Sequence, residues 1–192
     1  MIVWVDVETS GLDPRVDNLL EVGMLITDDK LEEVARTSLV IRPPAGWRLV
    51  YKPEIIAMHD AGEGNGLLAE CEADGVSYDR GMFTLLSWLD TNLPEWREEP
   101  PPMAGNSVHF DRAFLRAKMP LLEEAFHYRN LDVSTIKIVN RLWHFAEPWE
   151  GGRKIHRALP DLEDSVAELR HYRDAIDDVF RYQPVGEAPL PL

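Results

Sequence analysis

The chain is poor in three things, and each deficit removes a class of function. It holds one cysteine, Cys71. That excludes an intrachain disulfide and any four-cysteine zinc site, and it suits a reducing compartment. No apolar run approaches the roughly 18 residues that a membrane-spanning helix needs. The opening Met1-Ile2-Val3-Trp4-Val5-Asp6 reaches an acid with no basic segment before it, so no secretory leader is expected. A cytoplasmic location, away from membranes, is the expectation. Basic residues are also scarce: 20 Lys and Arg stand against 34 Asp and Glu, a net charge of −14. Proteins that grip long nucleic acid favour basic surfaces, because binding releases counterions. The charge argues against such a role, yet it leaves room for a very short oligonucleotide, whose few phosphates can be matched by bound metal ions. What is present is ordinary for a soluble globular protein: 192 residues, 45% hydrophobic and 28% charged, enough for one domain with a substantial core.

The apolar, β-branched run at 2–7 predicts a buried strand. Gly11, Asp13 and Pro14 mark a turn, and 19–27 and 34–42 predict two more strands, with 28–30 as a polar turn between them. An antiparallel meander is the simplest arrangement of the three. Short helices are expected around 53–59 and 67–71. Over 78–93, Met82, Leu85, Leu86 and Leu89 recur at helical spacing. The Pro- and Glu-rich stretch 94–102 reads as a surface connector. A short strand at 103–106 feeds a helix over 108–118, Pro120 restarts a helix to about 126, and a strand at 130–133 precedes a helix over 135–145. The final helix is the clearest. Leu162, Val166, Leu169 and Ile176 form an apolar stripe, and Pro160 lies near its start. Asp161, Glu163 and Asp164 lie in its first turn, and Arg170, His171 and Arg173 towards its end, as the helix dipole favours. No internal repeat is present. The expected fold is α/β, a mixed five-stranded sheet flanked by helices, with a domain over 1–180 and a Pro-containing tail over 181–192.

Four carboxylates and a histidine carry the chemistry. Asp6 and Glu8 lie two apart on the first strand, so they share a face and repel unless a cation sits between them. Alone, such a pair is more often a solvated strand end. Asp111 follows Gly105-Asn106-Ser107 and opens a helix, where an aspartate is usually dipole chemistry. In His156-Arg157-Ala158-Leu159-Pro160-Asp161 the histidine lies on a loop and the aspartate opens the last helix; each has a bland reading, an exposed histidine and a capping acid. The order D-x-E, D, H-x-x-x-x-D changes the odds. Hard oxygen ligands suit Mg²⁺ or Mn²⁺. Two such ions can clamp the attacking and leaving oxygens of a phosphodiester displacement, and a histidine can take the proton of the attacking water.

These motifs resemble the DEDDh 3′→5′ exonucleases, with their ribonuclease H-like fold, over roughly residues 2–174. Trp4-Val5-Asp6-Val7-Glu8-Thr9-Ser10-Gly11-Leu12-Asp13 is similar to the first motif of that group. Gly105-Asn106-Ser107 with Asp111-Arg112 and Phe114-Leu115 resembles the second, and His156 to Leu159 with Asp161 the third. Within the group, His127-Tyr128-Arg129-Asn130-Leu131-Asp132-Val133-Ser134-Thr135, the run from Leu169 to Arg173, and Met58-His59 with Gly66-Leu67 resemble the oligoribonuclease family. The resemblance implies two divalent ions on Asp6, Glu8, Asp111 and Asp161, with His156 as general base. It implies that Ser107, His127, Arg129 and Ser134 hold the substrate's terminal phosphate, that Leu12 packs between two bases, and that His59 lies near the 3′ end. It also implies a homodimer in which Tyr128 reaches the partner's site. Read without the family, Leu12 is turn packing, His127 and Tyr128 cap a helix, Arg129 pairs with a surface acid, and Ser134 caps the helix at Thr135.

The chain departs from the oligoribonuclease pattern in three places. Thr9-Ser10-Gly11 stands where Met-Thr-Gly is usual, extra length at 60–65 separates His59 from Gly66, and an aromatic residue shortly before His59 is missing. The expected function is hydrolysis of short single-stranded RNA, down to dinucleotides, to 5′-mononucleotides. A proofreading-type DNA exonuclease and a catalytically silent nucleic-acid-binding module are the competing readings. Four converging carboxylates argue against the silent one.

Overall fold

The computed structural model describes residues 1–46, 53–62, 64–151 and 155–181, with side chains to residue 178. Most of the proposed tail, 181–192, therefore lies outside the described residues. Strand β1 (Ile2–Thr9) is central, β2 (Leu19–Thr27) pairs antiparallel to it, and β3 (Glu33–Val40) pairs antiparallel to β2. The meander thus forms as its alternation implies. On the other side of β1, β4 (Pro102–Gly105) and β5 (His127–Asp132) run parallel, giving a mixed sheet of order β3-β2-β1-β4-β5. The helices are α1 (Pro53–His59), α2 (Leu67–Ala73), α3 (Tyr78–Asn92), α4 (His109–Lys118), α5 (Pro120–Glu123), α6 (Val133–Trp143) and α7 (Ala158–Arg181).

Period-two alternation in β1 divides the core. Val3, Val5 and Val7 pack with Leu85 and Leu89 of α3 and Phe114 and Leu115 of α4. Trp4 turns to the opposite face, among Leu162, Val166, Leu169 and Tyr172 of α7, and its indole N–H donates to Thr27 Oγ1 at 3.0 Å. Asp6 and Glu8 continue the Trp4 row and so face α7. Gly23, paired with Asp6 in β2, lets that helix approach: a Cβ there would lie 2.6 Å from the Cβ of Ala158.

Several expectations need correction. β1 runs on to Thr9, so Asp6 and Glu8 lie within the strand rather than at its end. The connector 94–102 holds a 3₁₀ turn over Pro94–Arg97, and Trp96 ties it to Asp90. The helix at Pro120 stops at Glu123, because the chain turns to start β5 at His127. His127 and Tyr128 therefore belong to an edge strand and cap no helix. The N-cap of α6 is Asp132, whose carboxylate accepts the Ser134 N–H, so Ser134 is not the cap. Ile176 is 37% exposed; the buried stripe of α7 runs through Leu162, Val166, Leu169 and Tyr172.

Candidate active site

Three segments meet over the α7-facing side of β1. Asp111 reaches the strand from the first turn of α4, and the Val7 N–H donates to its Oδ1 at 2.9 Å. That fixes the Asp111 carboxylate between the two acids of β1. Asp161 comes from the first turn of α7 and His156 from the loop before it. Oxygen atoms of Glu8 and Asp161 and a ring nitrogen of His156 all lie within 4.8 Å of one another. Asp6, His156 and Asp161 line one cleft of about 990 Å³, a size suited to a small-molecule or dinucleotide ligand. Glu8, His156 and Asp161 thus meet, Asp6 shares the cleft with the last two, and Asp111 is tied to the strand between Asp6 and Glu8.

The electrostatics of that place favour a cation. Glu8 is only 7% exposed, and burial pushes its carboxyl up to about 8. Asp161, Glu21 and Asp111 add repulsion in the same direction, and Arg157 opposes them. His59, expected near the substrate, is 1% exposed and sits behind Glu8, with Nε2 3.5 Å from Glu8 Oε2. Its Nδ1–H donates to Asn65 Oδ1 at 3.3 Å, so Nε2 carries the lone pair, buried without a hydrogen-bond partner. Burial also pulls the His59 imidazole below its usual range. A hard-oxygen donor set around a carboxyl this reluctant to ionise fits a divalent cation.

The His156 loop is held by residues that sequence reasoning did not single out. The guanidinium of Arg157 spans Glu21 and Glu70, with contacts of 2.9 and 2.8 Å, and Glu21 also accepts the Ala158 N–H. Asn65 donates to the carbonyls of Ile155 and His156. Asn65 lies in the extra segment 60–65, which the resemblance noted from the sequence marks only as added length. These contacts hold His156 at φ 56°, a left-handed conformation that a non-glycine residue adopts only where its surroundings over-determine it. Glu21 carries a faint sequence signal, an acid in an otherwise apolar strand; Asn65 carries none.

The remaining expected residues, Leu12, Ser107, His127, Tyr128, Arg129 and Ser134, are not among those that line the cleft. Leu12 is 76% exposed beside the end of β1 and Tyr128 is 72% exposed on β5. The Tyr128 ring lies between His127, at 4.3 Å between centroids, and the Arg129 guanidinium, at 5.0 Å. Arg129 therefore stacks on Tyr128 rather than pairing with a surface acid. Ser107 and Ser134 face each other at 3.2 Å between hydroxyl oxygens, and both backbone N–H groups donate to Asp132 Oδ1.

No family profile matches the chain. Among solved structures it is similar to E. coli exonuclease I bound to single-stranded DNA with a zinc ion, at a TM-score of 0.71 and 14% identity over 94% of this chain and 43% of that one. Exonuclease I from Methylocaldum szegediense gives 0.69 and 18%, over 94% and 42%. The chain spans less than half the length of those proteins, and the likeness establishes the ribonuclease H-like fold. Sequence relatives go further. The oligoribonuclease of Azoarcus sp. (strain BH72) is 36% identical over 90% of this chain and 93% of its own. Those of Alkalilimnicola ehrlichii and Streptomyces coelicolor are 39% identical, over 90% and 91% of this chain and 87% and 86% of their own. The chain belongs to the oligoribonuclease family. Among the described residues no helix is long and apolar enough to cross a membrane.

Proposed function

We infer that this chain is a 3′→5′ exoribonuclease that hydrolyses short single-stranded RNA, down to dinucleotides, to 5′-mononucleotides. The observation that carries the reading is the meeting of Glu8, His156 and Asp161 within 4.8 Å in one cleft, in a chain of this family. Asp6, Glu8, Asp111 and Asp161 would hold two Mg²⁺ or Mn²⁺ ions. When bound, such ions supply charge neutralisation to the attacking water and the scissile phosphate. His156 accepts the proton of the water that attacks phosphorus. The bond from phosphorus to the preceding 3′ oxygen breaks, that oxygen takes a proton from solvent to become a 3′-hydroxyl, and the phosphate stays on the 5′ oxygen of the released nucleotide. Leu12 packs between the two bases. Ser107, Ser134, His127 and Arg129 grip the terminal phosphate. His59 backs Glu8 near the 3′ end. The charge of −14 repels long polyanions, which favours substrates of few phosphates.

A homodimer fits the exposed face beside the site. β5 is an edge strand, and Tyr128, Leu142 and Trp143 are exposed on it and on α6. Large apolar side chains left exposed there suit an interaction surface, and in the proposed dimer Tyr128 reaches the partner's cleft. The test of function is a timed digest of 5′-labelled RNAs of two to about twenty nucleotides, with matched DNAs, with and without a chelator. Preferred cleavage of the shortest RNAs, lost on chelation, is expected. Strong preference for long single-stranded DNA would install the proofreading reading instead. Light scattering at assay concentration tests the dimer, and a fully active monomer would overturn it.

A further inference from the structure

Behind the two serines runs a chain of hydrogen bonds that ends on a buried acid outside the D-E-D-D-H set. Glu168, in the middle of α7, is 1% exposed. Its Oε1 faces Lys137 Nζ at 2.9 Å and accepts the Tyr172 hydroxyl at 3.2 Å. Its Oε2 accepts from Asn106 Nδ2 at 3.1 Å. The other Asn106 amide hydrogen goes to Ser165 Oγ at 3.0 Å, and Ser165 donates its own to the Asp161 carbonyl at 2.9 Å. A carboxylate accepts only, and an amide nitrogen donates only. Glu168 therefore fixes which way the Asn106 amide faces. Asn106 Oδ1 is left towards Ser134, whose hydroxyl donates to it at 3.1 Å. A hydroxyl has one hydrogen, so Ser134 Oγ can only accept in its 3.2 Å contact with Ser107.

We propose that Glu168 is a positioning residue for the terminal-phosphate site: acting through Asn106 and Ser134, it leaves the Ser107 hydroxyl as the one serine donor that can turn to a ligand oxygen. The inference rests on the reading that this pair grips the terminal phosphate. It divides the pair unequally, with Ser107 the donor and Ser134 an anchor whose hydrogen is committed inward. Lys137 and Tyr172 satisfy the other oxygen of Glu168, which keeps a buried carboxylate in place. Through Ser165 the same amide also touches the backbone of Asp161, so the grip and the acidic centre share one polar support.

Glu168→Gln tests the proposal. A glutamine has one acceptor oxygen and cannot serve both Asn106 and the Lys137–Tyr172 side, so the amide of Asn106 is free to turn over. The quantity to measure is kcat/KM for a 5′-phosphorylated dinucleotide relative to its 5′-hydroxyl counterpart, in the full-length, metal-loaded protein. Loss of a hydrogen bond to a charged group weakens binding roughly tenfold or more, so Glu168→Gln and Ser107→Ala should each cut this preference about tenfold, mainly through KM. Ser134→Ala should cut it less than Ser107→Ala. Equal loss on both substrates in Glu168→Gln would mean Glu168 only supports the fold, and would overturn the inference. An unchanged preference in Glu168→Gln, with the preference lost in Ser107→Ala, would overturn it while sparing the phosphate reading. An unchanged preference in Ser107→Ala would overturn both. Should Glu168→Gln melt too low to assay, Asn106→Ser breaks the same chain one link nearer the serines and must show the same selective loss.

Discussion

Glu8 makes the metal-free protein sensitive to pH in a direction opposite to that of most acids. In the unfolded chain its carboxyl ionises near 4.5, while in the folded, metal-free site burial and the surrounding acids hold it to about 8. Between those values the folded state keeps a proton that the unfolded state has released. Stability contributed by Glu8 is therefore complete below pH 4.5 and lost as pH rises through about 8. At about 1.4 kcal/mol per tenfold change in proton concentration, the loss across that window has a ceiling of about 5 kcal/mol. Water entering the open cleft will reduce it. Glu8→Gln removes the titration. In chelator, urea denaturation should show wild type and variant alike at pH 5, with the variant several kcal/mol more stable at pH 9. Adding Mg²⁺ or Mn²⁺ should reverse that ranking, because a bound cation restores the ionised form only in wild type. The raised Glu8 carboxyl also means that metal binding at pH 7 ejects a proton from this residue, readable by calorimetry in buffers of different ionisation enthalpy. Parallel pH–stability curves for the two proteins in chelator would refute the reasoning.

Three further outcomes are expected. His156→Asn should lower kcat by roughly 10²–10⁴-fold, the range for a lost general base, and should remove the acid limb of the pH–rate profile; near-wild-type kcat with the same limb would take the base role from His156. Arg129→Ala should raise KM for dinucleotides by about tenfold and affect longer RNAs less, as a length series of steady-state assays would show. Asn65→Ala should release the backbone of His156 and depress kcat more than KM; unchanged kcat would mean that Arg157 alone holds the loop.

The sheet and the acidic set were legible because both repeat or cluster in sequence. The runs at 2–7 and 19–27 are β-branched and apolar, and β2 formed over the expected residues. Asp6, Glu8 and Asp161 announce themselves by spacing. β5 was only half visible: a strand was expected at 130–133, but His127, Arg129 and Asn130 have little strand propensity, and Tyr128 alone does not mark the start at 127. Their pairing comes from parallel contact with β4 at the sheet edge, a tertiary effect. The cap of α6 was misassigned because Asp132 and Ser134 are both good cap residues, and only the strand's endpoint decides between them. Asn65 and Glu168 were invisible for another reason. An asparagine in a loop and a glutamate in an acidic helix look solvated until packing shows one under the His156 loop and the other beneath Asn106.

Neighbouring residues of α4 serve two different strands. Asp111 reaches β1, while the buried guanidinium of Arg112 donates to Glu123, to the carbonyls of Phe126 and His127, and to Asn130 Oδ1. Two successive residues in the first turn of one helix therefore tie β1 to the strand bearing Tyr128 and Arg129, and a helix does not stretch as a loop would. On the proposed reading α4 ties the acidic centre and the phosphate grip to one rigid element. A single residue inserted within its first turn, ahead of Asp111, would rotate Asp111 and Arg112 together by about 100° about the helix axis. The two are geared to one shaft, so the cutting edge and the grip shift together when it turns.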